Sequence, residues 1–500
     1  MRLLPTGAAL AGALFGCETR DEAWGDELNL QNPSTAGGHL VVEARGRDSL
    51  LVIDPATASP RFIPLAAELR PPVARLESNA LLAFESDGAT LLQVDLETDR
   101  STRYPLGGRF DALTQTPDGA YAILTRGGGG SGLVNASEVA LIALDEGPGP
   151  ANPARRGLSS KGGTIRGVDV SPAYGAAGRR LALFRSASHL AAVPVEDFAA
   201  GTLRTIPLAA DGDPAVTPVE SVFRESADHL DVFVRADSGS DVIHLRFPDA
   251  DDGIARPVLN QLTAGGLLSS ILLLSPDGPL GAQIVALSRS SGGFTLIDPE
   301  TAESKYYAAD DAPADGLVIE GVTGEELVLY TLGRNVLHRV ALTELPTKKT
   351  KAIKTTSLGA PILDVTAAAG GTRLVILHSD TGGPDITLLD PVTGAVVPFT
   401  TSDTLVGTAL SDDLTDLVVL TRGTTQRLTT LDIASGTTLE TEVASSITAM
   451  LPIAGTSTVA LLSADGLGTF AFYDAADVTK APKRLESAGW LSILDQEAER

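Results

Sequence analysis

A two-part pattern returns from one end of this chain to the other, and it limits the possible folds more than any other feature. The first part is a short apolar run: LVVEAR (40–45), LLAFES (81–86), AYAILTR (120–126), RLALFRS (180–186), LDVFVRA (230–236), QIVALSR (283–289), ELVLYTL (326–332), RLVILHS (373–379), DLVVLTR (416–422) and TVALLSA (458–464). The second is an apolar run that ends in a turn, as in LLVIDPAT (50–57), LLQVDLET (91–98), VALIALDEG (139–147), FTLIDPET (294–301), ITLLDPVTG (386–394), LTTLDIASG (428–436) and TFAFYDAAD (469–477). The runs are rich in Val, Ile and Leu and bounded by Gly, Pro and Asp, which favours strands over helices. Near-continuous apolarity indicates strands buried on both faces. Units recurring at roughly 40 to 50 residues have the period of four-stranded blades that stack to bury their faces. The expected fold is all-β: a β-propeller of four-stranded antiparallel blades.

The turns carry their own physics. In IDPAT, IDPET and LDPVTG the aspartate accepts from backbone N–H groups just beyond it, while proline presets φ at the next position. TPDG (116–119) and SPDG (275–278) supply the same chemistry one hairpin earlier. Taken together, SPDG, an apolar strand, a Gly/Ser loop and IDPxT resemble the YVTN-type repeats of bacterial propellers, a WD40-like group, over about residues 39–486. The resemblance implies fold far more than function. About ten units are present, against the four to eight blades typical of propellers. Three arrangements compete: one large ring, an eight-bladed ring with extra hairpins, or two smaller rings in tandem. No interdomain linker is evident, and the first unit lacks an obvious opening strand that WLSILD (490–495) could supply. The expectation is therefore a single ring of 8–10 blades closed by strands from both termini, which removes an exposed sheet edge.

With 43% hydrophobic and 20% charged residues the chain has ample material for a core. A formal net charge of −25 works against nucleic acid and anionic lipid as partners of the whole molecule. The single cysteine excludes an intramolecular disulfide and leaves no zinc spacing. It stands in ALFGCETR (13–20), after Arg2 and a mostly apolar stretch too short to span a bilayer. Leu14, Gly16 and Cys17 resemble the lipobox of bacterial lipoproteins. That resemblance implies cleavage of residues 1–16, lipidation of Cys17, and anchoring of the chain to the membrane only through this lipid. Glu18 stands where the family's inner-membrane retention signal has aspartate, which implies outer-membrane sorting. Residues 17–38 read as a flexible tether, leaving 39–496 for the propeller.

No hydrolase, zincin, Walker or dinucleotide fingerprint occurs, so neither catalytic residues nor a cofactor is assigned. Asp249, Asp251, Asp252 and Gly253 resemble the start of a calcium loop, but Asn260 stands at the bidentate glutamate position, so the stretch reads as a solvated acidic loop and no metal is assigned. Asn135-Ala136-Ser137 matches a glycosylation acceptor by chance. Half of the chain's lysines fall in KKTKAIK (348–354), the expected outer strand of a blade, where they discourage edge pairing. Arg45, Arg126, Arg185, Arg235, Arg289 and Arg422 each stand at or beside the end of a second strand. Asp54, Asp95, Asp145, Asp298, Asp390, Asp432 and Asp474 close third strands. Antiparallel neighbours place these two sets on opposite faces. The aspartates are read as turn caps. The arginines are read either as partners of neighbouring acids or as a face for an envelope protein or acidic glycan. The function expected is a binding or scaffolding module of a bacterial cell envelope. A propeller enzyme of lactonase or metal-assisted hydrolase type, and an outer-membrane assembly factor using strand addition, stand as alternatives.

Overall fold

The computed structural model describes residues 29–486 apart from 46–47, 71–72, 75–79, 127–134, 159–163, 209–215, 251–252, 310–311, 322–323, 348, 380–381, 444–446 and 464–467. Cys17 with its leader, the strand expected at 490–495, and Asp251 and Asp252 lie outside the described residues.

The fold is a β-propeller of ten four-stranded blades, each an antiparallel sheet in chain order. Numbered along the chain, the blades span Asn29–Pro64, Val73–Pro105, Ala112–Gly157, Gly167–Pro207, Pro218–Thr263, Leu268–Ala308, Asp315–Ser357, Ile362–Phe399, Thr404–Val443 and Ile447–Leu485. Among the described residues the only helical pieces are a single α-turn at Lys349–Ala352 and a 3₁₀ turn at Ala369–Gly371. The α-turn corrects part of one expectation: of the described residues of KKTKAIK, only Ile353 and Lys354 join the outer strand Ile353–Ser357, and Ala352 at the end of the turn is buried in the core with Leu342 and Leu345. No helix among the described residues is long and apolar enough to cross a membrane.

The burial gradient across each blade follows its sequence. In blade 6 the third strand, Gly293–Ile297, is wholly buried, whereas in blade 5 the outer strand Val258–Thr263 is almost wholly exposed. Middle strands pack on both faces against neighbouring blades, so they are apolar throughout; outer strands reach solvent and need no such pattern. The turns are built as read. Gly119 takes φ 69° in TPDG and Gly394 takes φ 77° in LDPVTG, conformations that glycine adopts at no steric cost.

The chain forms two compact units. One contains blades 9, 10, 1 and 2, and the other blades 3 to 8. The first unit is therefore made from both chain ends, which two consecutive rings would keep apart. In it Leu40, Leu51 and Ile53 of blade 1 share a core with Ala460, Phe470 and Phe472 of blade 10. The join differs from the composite blade expected. Asn29–Ala36 supplies the opening strand of blade 1, pairing Asn29 with Arg45 and Ala36 with His39. Two complete blades meet there, and the first described strand, Asn29–Ala36, lies within the segment read as tether.

In the second unit the first strands of blades 5, 6 and 7 lie side by side. Two of them carry β-bulges near their starts, between Pro218 and Glu220 and between Leu268 and Ser270. Blades 8, 9 and 10 repeat the device between Ile362 and Asp364, Leu405 and Gly407, and Ile447 and Ala449. A bulge leaves one residue unpaired and re-aims its side chain and carbonyl.

Candidate binding pocket on the arginine face

The pairing register puts the two residue sets at opposite ends of the blades, as expected. In blade 6, Ser288 pairs with Gly293 beside Arg289, while Ile284 pairs with Ile297 beside Asp298. The aspartates act as turn caps. Asp54 accepts from the Ala56 N–H at 2.8 Å and the Thr57 hydroxyl at 2.9 Å. Asp95, Asp298 and Asp390 each accept from the N–H groups two and three residues on, and Asp474 accepts from Ala476 N–H and pairs with Lys480. Asp145 and Asp432 occupy the equivalent positions in blades 3 and 9. At Asp54, Asp95 and Asp390 burial raises the carboxyl pKa, but these donors outweigh it and hold the group below its ordinary value.

The arginines divide. Arg126 pairs with Glu138 at 2.5 Å and lies over the Phe110 ring. Arg185 pairs with Asp169 at 2.8 Å and donates to the carbonyl of Val219, the bulged residue of the next blade. Arg235 pairs with Glu220 at 2.7 Å. Arg422 donates to the Ile447 carbonyl at 3.1 Å, again in the next blade. Arg45 ends the second strand of blade 1. Arg289 is exposed, and among the described residues its guanidinium has neither an ion-pair nor a hydrogen-bond partner.

Arg289 lines a cavity of about 510 Å³ that opens among blades 5, 6 and 7. Its walls include Glu220 and Arg235 from blade 5, Ser269 on the bulge of blade 6, and Asp315 at the start of blade 7. Exposed Leu332 lies at its edge. Asp315 accepts from its neighbour's Gly316 N–H at 2.8 Å and forms no ion pair among the described residues. The Ser269 hydroxyl is buried without a hydrogen-bond partner. An orphan of that kind costs on the order of 1–3 kcal/mol unless something satisfies it. Of these residues, the arginine pattern singled out Arg235 and Arg289. Glu220, Ser269 and Asp315 carry no sequence signal, since they come from three blades and only stacking brings them together.

A second polar cluster lies at the opposite end of blade 5. Cross-strand pairing aligns Arg224, Asp231 and Arg246 on three adjacent strands. The fully buried Asp231 accepts from Arg246 Nε and His244 Nε2, both at 2.8 Å, and from Arg224 Nη2 at 2.5 Å. Glu300 from blade 6 takes Arg246 through both oxygens, at 2.5 and 3.1 Å. Burial raises the Asp231 pKa, but the bonds from His244, Arg246 and Arg224 hold it far below the carboxylate range. His229, Asp231 and Glu300 present ligand atoms within 4.8 Å of one another. The two guanidinium groups already fill the carboxylate lone pairs and repel a cation, so the cluster is an ion-pair network that ties blade 5 to blade 6.

Two motifs set aside in the sequence have structural uses. Asp249 accepts from Ala176 N–H at 2.8 Å and lies 3.6 Å from Arg179, so the acidic loop docks on blade 4. Asn135 accepts from the N–H and hydroxyl of Ser137 and caps its own turn.

No family model matches this chain, and no curated protein matches it. Among solved structures, a dihydro-heme d1 dehydrogenase NirN in complex with DHE is similar at 14% identity, with TM-score 0.45 over 74% of this chain and 75% of that one. A eukaryotic initiation factor gives 11% identity and TM-score 0.47 over 88% and 93%. The extracellular domain of a putative one-component system from B. thetaiotaomicron gives 10% identity and TM-score 0.27 over 90% and 70%. No residue of the pocket is carried over from them.

Proposed function

We propose that this protein is a binding propeller of a bacterial cell envelope, anchored through a lipid on Cys17, and that the pocket among blades 5, 6 and 7 takes an anionic ligand. The observation that carries the reading is Arg289, an exposed guanidinium with no partner among the described residues, at the wall of a cavity of about 510 Å³. A free planar fork of five donors suits a carboxylate, and the cavity falls within the ~300–1,000 Å³ range of small-ligand sites. The equivalent arginines of blades 3, 4, 5 and 9 are spent on carboxylates or on the next blade's backbone. They hold the face together, and among the described side chains of the set Arg289 is the one without such a partner.

The test is an array of anionic and neutral glycans and peptides probed with the intact protein and with Arg289→Ala. Because the Arg289 side chain has no partner among the described residues and alanine keeps the backbone bond from its N–H to the Leu267 carbonyl, the variant folds normally. Its anionic hits weaken by about tenfold or more, the loss of one charge-assisted contact. Anionic hits that survive the substitution at full strength would sink the proposal.

A further inference from the structure

The remaining walls of the pocket narrow the class of anion. We infer that the occupant is an acidic sugar, a uronate unit alone or in an oligosaccharide, with its carboxylate on Arg289 and its hydroxyl groups donating to Asp315. This rests on the anion-site reading above and adds to it a demand for hydroxyl donors.

The charged walls are Arg235 and Arg289 against Glu220 and Asp315, two of each sign, so the pocket is neutral as a whole. Glu220 and Arg235 satisfy each other at 2.7 Å. Arg289 and Asp315 line the same cavity without pairing, so one guanidinium and one carboxylate remain for a ligand. A phosphate concentrates one to two charges on a single small group, and a polyglutamate segment brings repeated charge without hydroxyl donors, so Asp315 repels either. A uronate brings one carboxylate and several O–H groups on a rigid ring, and an ionised aspartate is an acceptor-only group that takes such hydroxyls. The exposed Leu332 in the lining offers an apolar surface to the C–H face of a sugar ring. An α-amino acid could bridge the same two charges, but it fills little of a cavity this size.

Calorimetric titration with trigalacturonate, its methyl ester, a glucuronate and a mannuronate oligomer, free glutamate and hexaglutamate tests the inference on the full chain. At least one uronate should bind, and esterification should weaken trigalacturonate about tenfold or more. Asp315→Asn separates the possibilities by sign. It weakens a sugar that donates hydroxyls to the carboxylate, but it tightens an anion held by Arg289 alone, because a repelling charge has gone. Tighter binding in Asp315→Asn, or selective binding of hexaglutamate or glutamate, overturns the sugar and leaves the anion site standing. Binding of none of these probes overturns both. Should Asp315→Asn not fold, Arg289→Gln at an exposed position supplies the comparison: equal loss for the acid and its ester overturns the inference.

Discussion

Asp231 shows how one side chain can hold an end of a blade. It is fully buried and accepts from two arginines and a histidine, so removing it leaves both guanidinium groups in a part-buried cluster with only the exposed Glu300 to share. Asp231→Ala is therefore expected to cost about 3–5 kcal/mol, measurable as a lower midpoint in urea. The dependence on pH follows from the sign of the shift. The folded carboxyl titrates below its ordinary value of 3.8, so its contribution is complete above that pH and is lost as pH falls below it. The gap between Asp231→Ala and the parent should narrow as pH falls below about 4. A constant gap into strong acid would show that packing, not charge, sets the cost. None of this was legible in the sequence, where Asp231 sits in LDVFVRA as an ordinary polar interruption of an apolar run.

Between elements, the recurring device is an arginine that reaches a backbone carbonyl of the next blade. Arg156 donates to the Phe198 and Gly201 carbonyls at 3.0 and 2.6 Å, Arg179 to Ala250 at 2.6 Å, Arg224 to Ala282 at 2.8 Å, and Arg339 to Pro391. The acceptor is main chain and carries no residue preference, so the sequence gives no sign of the contact. Hydrogen bonds to charged donors contribute about 1.5–3 kcal/mol each. Arg156→Ala, which removes two such bonds, should lower stability by about 3 kcal/mol or more. Arg156→Lys should recover less than half of it, since a point charge does not reproduce the fork. Full recovery by lysine in thermal unfolding would refute the geometric argument.

At the scale of the molecule, ten blades need ten copies of one solution: two buried middle strands and an exposed outer one. The sequence repeats that solution closely enough to reveal fold class, blade period and turn chemistry. Anchoring belongs to this scale as well. A chain lipidated at Cys17 incorporates labelled palmitate in a bacterial host and sediments with membranes, and Cys17→Ser abolishes both. Label retained by Cys17→Ser would refute the anchor.

The sequence by itself determined the strands, the capped turns and the opposed arginine and aspartate ends, because these depend on neighbours within a hairpin. Burial of a middle strand demands apolar residues throughout, and a tight turn demands Asp, Pro or Gly, so both leave a local record. Tertiary structure alone decided that blade 1 opens with Asn29–Ala36, that most of the arginines on the proposed face are occupied, and that Arg289 shares a cavity with Asp315. Those outcomes depend on which blades stack and on which side chain meets a charge or a carbonyl from the next blade. Such contacts join residues tens of positions apart and impose no pattern along the chain.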